Sequence, residues 1–142
     1  MLFAGLTIAF AWCRPPGELR AQEMILQVEL DAFSGRPNPR WDLTQTQAAE
    51  FLARLRKLQQ AQSSFPRSDG LGYRGFIVSG NEGMLDSYND ARVYRGIVFA
   101  RRGKREEIFA DSERSLERWL LESARGHVDE SALKYIESEI AR

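Results

Sequence analysis

The six residues Ser34-Gly35-Arg36-Pro37-Asn38-Pro39 form the most chemically specific stretch of the sequence. Proline fixes its own φ and pushes the preceding residue toward extended geometry, so Pro37 constrains Arg36 and Pro39 constrains Asn38. Gly35 permits the positive φ that a reversal here can need. The expected product is a stiff loop displaying a guanidinium and a carboxamide with little entropy left to lose. Donors held ready in this way suit a carboxylate, a phosphate or a sugar. The plainer alternative is a tight hairpin turn whose polar groups satisfy its own backbone.

Glu29 and Asp31, just upstream, are two residues apart and so share one face of a strand. That spacing sets two carboxylates about 7 Å apart, the kind of separation used in glycoside hydrolysis. Any solvent-facing strand produces such pairs, and Arg40, Arg74 or Arg95 can meet them across a sheet as ion pairs. His127, the single histidine, stands between Gly126 and the start of the last helix, where a solvated or capping role is the ordinary one. No Gly-x-Ser-x-Gly elbow, no Gly-x-x-x-x-Gly-Lys and no Gly-x-Gly-x-x-Gly is present in the sequence. The stretch from Asn81 to Asp90 carries several oxygen ligands, but not at the spacing of a calcium loop. Its length and its Tyr88 make it a candidate lid over a ligand. Arg101, Arg102, Lys104 and Arg105 cluster at a hairpin tip, and Glu106 and Glu107 neutralise them at once. Nucleic-acid binding would want more cations and exposed aromatics, so none is expected.

These side chains must be positioned by regular elements. Leu26, Val28 and Leu30 alternate with Gln27, Glu29 and Asp31, which predicts a half-buried strand within Met24 to Phe33. The proline turn then leads into a second strand at Arg40-Trp41-Asp42-Leu43. Thr44 and Gln47 have capping-box spacing, and Ala48, Phe51, Leu52, Leu55 and Leu58 recur at helical spacing, so Gln45 to Gln59 is an expected helix. Two strands follow, Tyr73 to Ser79 and Ala91 to Arg101. They share the short echo Tyr-Arg-Gly at 73–75 and 94–96, read as two strands using one side-chain solution. Arg102-Gly103-Lys104 is a turn into an edge strand at Arg105 to Ala110. Asp111 or Ser112 caps a helix carrying Leu116, Trp119, Leu120 and Ala124, and Gly126 stops it. Val128, Asp129 and Leu133 fit the staple, cap and fourth-residue positions of a final helix. The charges on these helices, such as Arg118 with Glu122, fit ordinary pairs one turn apart.

The order is therefore β-β-α-β-β-β-α-α. It predicts an α+β single domain over residues 24–142, with a largely antiparallel sheet of about five strands and three helices. The preceding residues 1–23 divide in two. Met1 to Trp12 is apolar but rises only about 18 Å as a helix, too little to cross a bilayer. Its length suits the core of a secretory signal, and Ala9-Phe10-Ala11 has the form of a cleavage site. No Lys or Arg precedes it, and Trp12 is too bulky for a lipoprotein site at Cys13. Arg14 to Glu23 reads as a proline-broken linker. Export or membrane tethering is the expectation, with contact to a membrane only through residues 1–12 if they are retained. A cytoplasmic protein with an ordinary N-terminal segment is the alternative.

Composition narrows the chemistry by elimination. The 142 residues are 43% hydrophobic and 28% charged, as in globular domains. Twenty basic and twenty acidic residues give no net charge, which argues against a strongly basic nucleic-acid-binding domain. One cysteine and one histidine exclude a disulfide framework, a Cys-rich metal site and a multi-histidine cage. No metal or other cofactor is implied.

Val28 to Trp41, with its Phe33-Ser34-Gly35-Arg36-Pro37-Asn38-Pro39-Arg40-Trp41 core, resembles the opening of a group of small uncharacterised bacterial proteins. These carry a similar Phe-Ser-Gly-Arg-Pro-Asn-Pro-x-Trp stretch, and Tyr73-Arg74-Gly75-Phe76 is similar to a second shared piece. The resemblance implies a common purpose for Arg36, Asn38 and Trp41, and no activity. The reading that follows is a non-enzymatic binding or interaction module for a small polar or anionic ligand or a protein partner. Arg36, Asn38, Trp41, Tyr88 and Arg95 are its candidate ligand-binding residues. A small hydrolase using Glu29 and Asp31 is one alternative, and a subunit of a larger assembly is another.

Overall fold

A computed structural model of the chain describes residues 25–68, 70–81 and 85–142. The apolar segment and linker assigned to residues 1–23 lie outside them. Alternation at Leu26, Val28 and Leu30 does produce a strand, β1 (Leu26–Leu30), with those three side chains fully buried. β2 (Arg40–Asp42) returns antiparallel to it, setting Trp41 opposite Val28 and Arg40 opposite Glu29. Helix α1 (Gln45–Lys57) begins at the expected capping box. Thr44 Oγ1 accepts from the Gln47 N–H at 3.2 Å, and Gln47 Oε1 accepts from the Thr44 N–H at 2.9 Å. It ends before Gln59, because Leu58 turns extended and the chain enters a two-residue strand, β3 (Gln59–Gln60).

The remaining strands are β4 (Phe76–Gly80), β5 (Asp90–Tyr94), β6 (Ile97–Arg102) and β7 (Arg105–Ala110). All seven form one antiparallel sheet in the order β2-β1-β4-β5-β6-β7-β3. The class is α+β as expected, with seven strands in place of five. One extra strand arises because Ala91 to Arg101 is a hairpin, not a single strand. Arg95 and Gly96 both take positive φ, 49° and 74°, which a two-residue turn between Tyr94 and Ile97 demands. The other is β3, which pairs with the end of β7 and removes it from the edge.

The Tyr-Arg-Gly echo therefore serves two geometries. At 94–96 it makes this turn. At 73–75 it brings the chain into β4, with Gly75 packed so closely on β5 that a Cβ there would lie 2.3 Å from the Val93 carbonyl.

Helices α2 (Ser115–Ser123) and α3 (Glu130–Ile140) complete the helical layer. Arg114 enters α2 in the left-handed region, yet Asp111 still caps it from upstream. The Asp111 carboxylate accepts from the N–H groups of Ser115, Leu116 and Glu117 at 2.9, 2.9 and 3.3 Å. Asp129 caps α3, and Val128 and Leu133 are both buried as a staple requires. Phe51, Leu116, Leu120 and Ile136 share a single core with Leu30, Phe76, Val93 and Val98 of the sheet. The opposite face of the sheet is a row of Glu29, Ile77, Arg92, Phe99 and Ile108, which register places side by side. Phe65 lies against Phe99 and Tyr94 at one end of that face. No helix among the described residues is long and apolar enough to cross a membrane.

Candidate functional site

The stiff turn sits at one end of the sheet, where β1 stops and β2 begins. Leu30 donates its N–H to the Pro39 carbonyl at 3.0 Å, closing the turn from below. Gly35 has φ 83°, as its position at the reversal required. Asn38 is turned inward. Its Oδ1 accepts from the N–H groups of Ala32 and Phe33 at 3.3 and 3.1 Å. Its Nδ2 donates to Glu29 Oε1 at 2.9 Å and to Asp31 Oδ1 at 3.2 Å. The carboxamide thus makes two donor and two acceptor bonds, its full ordinary complement.

Glu29 and Asp31 therefore flank one side-chain nitrogen, and each also meets an arginine. Arg40 binds Glu29 through Nε at 2.8 Å and a terminal nitrogen at 2.7 Å. Arg74 binds Asp31 through Nε at 2.9 Å and a terminal nitrogen at 2.5 Å. The same guanidinium reaches the carbonyls of Phe33 and Gly70 at 3.2 Å, so it ties the turn to the loop before β4. Two of the three arginines expected near the carboxylates are present. Arg95 is not in contact with them, although its hairpin turn lies at the same end of the sheet.

Arg36 points the other way. It is exposed, and its guanidinium stacks over the Phe33 ring at 3.7 Å from the centroid. Across from it lies the connection between α2 and α3. The Asp129 carboxyl is held below its ordinary range first by the Ser131 hydroxyl, then by the Ala132 N–H, with the Arg36 charge adding to both. His127, also exposed, stacks on Trp41 with ring centroids 6.0 Å apart. Turn and connection thus face each other closely enough for the Arg36 charge to act on Asp129.

The other candidates fall elsewhere. Trp41 is buried, with its Nε1–H donating to Ser123 Oγ at 3.2 Å and Phe76 against its edge. It supports the site from within the core. Tyr88 lies at the opposite end of the sheet, in a cleft of about 330 Å³ beside Arg56, Asp86, Arg102 and Glu107. Its ring packs on Phe109, its hydroxyl donates to Glu107, and Arg102 covers it at 4.5 Å. Burial and that bond push the Tyr88 phenol up to about 12. The loop is pinned further by Asp86, which holds Arg56 through two bonds of 2.5 Å. Arg95 is exposed over the Tyr94 ring at 5.1 Å.

One polar centre had no sequence signal of its own. Glu117 of α2 is fully buried and accepts from Tyr73 Oη at 2.6 Å and from Arg114 at 2.8 and 3.0 Å. It also takes the Arg95 and Gly96 N–H groups at 3.3 and 3.4 Å, fastening α2 to the β5–β6 turn. Burial, then the Glu117 charge and hydrogen bond, drive the Tyr73 phenol far above its ordinary value. Helical periodicity reads Glu117 as a surface residue, because only the fold brings Tyr73 and the hairpin turn to it.

Among the described residues no three His, Cys, Asp or Glu side chains gather where they could hold a metal ion. Comparison of the chain with family models, with curated proteins and with solved structures found no match.

Proposed function

We propose that the protein is a non-enzymatic binding module whose stiff 34–39 turn presents Arg36 to an anionic group on a small polar ligand or a protein partner. The reading rests on how the turn divides its side chains. Asn38 spends all its hydrogen bonds on Glu29, Asp31 and the backbone of Ala32 and Phe33, and Arg36 is left outward over Phe33. A guanidinium stacked on a ring has already lost much of its rotamer freedom, so a carboxylate or phosphate binds it with less ordering still to be done. Asp129, which feels the Arg36 charge, opposes a ligand that reaches toward α3.

Thermal denaturation of the full chain against inorganic phosphate, sulfate and a set of small carboxylates tests the reading. An anion that raises Tm for the native protein should lose that effect in Arg36→Gln, whose own unliganded Tm stays within about 2 °C of native, as for an ordinary surface change. An anion-induced shift that survives Arg36→Gln unchanged places recognition elsewhere.

A further inference from the structure

Arg118 and Glu122 stand one turn apart on α2, and their spacing predicts an ion pair. The pair does not form. Glu122 takes Arg125 instead, through bonds of 2.7 and 2.9 Å, with the acidic residue N-terminal to the basic one as helices prefer. Arg118 is left with no carboxylate partner among the described residues, and it is exposed. It lines a cleft of about 450 Å³ between the three helices, within the range of small-molecule sites, roughly 300–1,000 Å³.

The cleft has an apolar floor and a polarised rim. Trp119 is half-buried, and Leu121 and Ile140 are buried beneath it. Arg54 of α1 lies over the Trp119 ring at 5.6 Å, but its guanidinium is paired with Glu50 at 2.7 and 3.0 Å, so Arg118 is the cation left for an occupant. Arg114 donates to the Glu139 carbonyl at 3.3 Å, which sets the start of α2 beside the end of α3. Glu122 stands one turn, about 6 Å, further along α2 than Arg118, and Glu137 of α3 also lines the cleft. An occupant is favoured if it carries one negative charge at the Arg118 end and an apolar body over Trp119. A second negative charge at the tail would meet Glu122.

We propose that this cleft is a binding site for a small monocarboxylate with an apolar chain or ring, its carboxylate on Arg118 and its apolar part on Trp119, Leu121 and Ile140. The site is separate from the 34–39 turn.

Calorimetric titration of the full chain with octanoate is the test, with suberate, octanol and octylamine as comparison ligands. Octanoate should bind, and Arg118→Gln should weaken it about tenfold or more, the usual effect of losing a charged hydrogen bond. Suberate and octanol should bind more weakly than octanoate, and Arg36→Gln should leave octanoate affinity unchanged. The proposal is overturned if octanoate gives no binding up to about 10 mM. It is also overturned if Arg118→Gln binds as well as native protein, or if octylamine binds more tightly. Self-association that Arg118→Gln abolishes, with octanoate inert, would assign the cleft to a second copy of the chain and would likewise overturn it.

Discussion

Replacing Asn38 by alanine removes the most connected side chain of the turn while leaving Arg36 in place. Four hydrogen bonds go, two to backbone N–H groups and two to carboxylates. A single intramolecular hydrogen bond contributes about 0.5–1.5 kcal/mol net, and bonds to charged groups more. Asn38 is only half-buried, so water replaces part of what is lost. The expected loss is about 2–4 kcal/mol. For a domain of this size that lowers Tm by roughly 8–16 °C. Asn38→Asp should be worse near neutral pH, because it sets a third carboxylate against Glu29 and Asp31. Part of that extra loss should return below about pH 4, where carboxylates protonate. Calorimetric melts of both variants at neutral and acid pH give all three numbers. A Tm change under about 2 °C for Asn38→Ala would refute the argument that the carboxamide locks the turn.

Four other perturbations probe the frame around it. Glu117→Ala strands the Arg114 guanidinium, the Tyr73 hydroxyl and two turn N–H groups, and should cost about 3–5 kcal/mol in chemical denaturation. Glu122→Ala, whose partner Arg125 is solvent-exposed, should be nearly neutral by the same measurement. Arg95 occupies a left-handed conformation that asparagine adopts more readily, so Arg95→Asn should raise stability by about 0.5–1 kcal/mol. Asp129 has a lowered carboxyl pKa, so folding favours its ionised form. Its contribution is present above the ordinary Asp value near 4 and is lost as pH falls through the lower folded value. Asp129→Ala should therefore melt below native protein at neutral pH, with the gap closing as pH falls through the lowered folded value.

What was legible in the sequence were features written within a few residues of one another. The period-2 run of β1, the Thr44–Gln47 box, the Asp129 cap and the proline turn each carry their signal locally, and each formed. Asp111 acted as a cap even though Arg114 intervenes. The strand count failed at two places where local signals were weak. An Arg-Gly turn lacks the Asn-Gly or Asp-Gly signature, and the two glutamines of β3 have no strand pattern. Both strands depend on neighbours far away in the chain.

The site divided in the same way. Sequence alone gathered Glu29, Asp31, Arg36 and Asn38, because one hairpin holds them. It could not place Trp41 inside the core, which is decided by Ser123 and Phe76, nor fold Tyr88 down onto Phe109. It missed Glu117 because the burial of a charge depends on what the rest of the fold brings to it. It paired Arg118 with Glu122, where rotamer choice gave Glu122 to Arg125 instead.

The central claim is that Arg36 on the locked turn is the point of anion recognition. Titrating inorganic phosphate into isotope-labelled protein, with amide proton and nitrogen shifts followed residue by residue, tests it most directly. The account predicts saturable shifts at Gly35, Arg36 and the His127–Asp129 connection, absent in Arg36→Gln. Shifts confined to the 101–105 hairpin tip, or identical in Arg36→Gln, would contradict it.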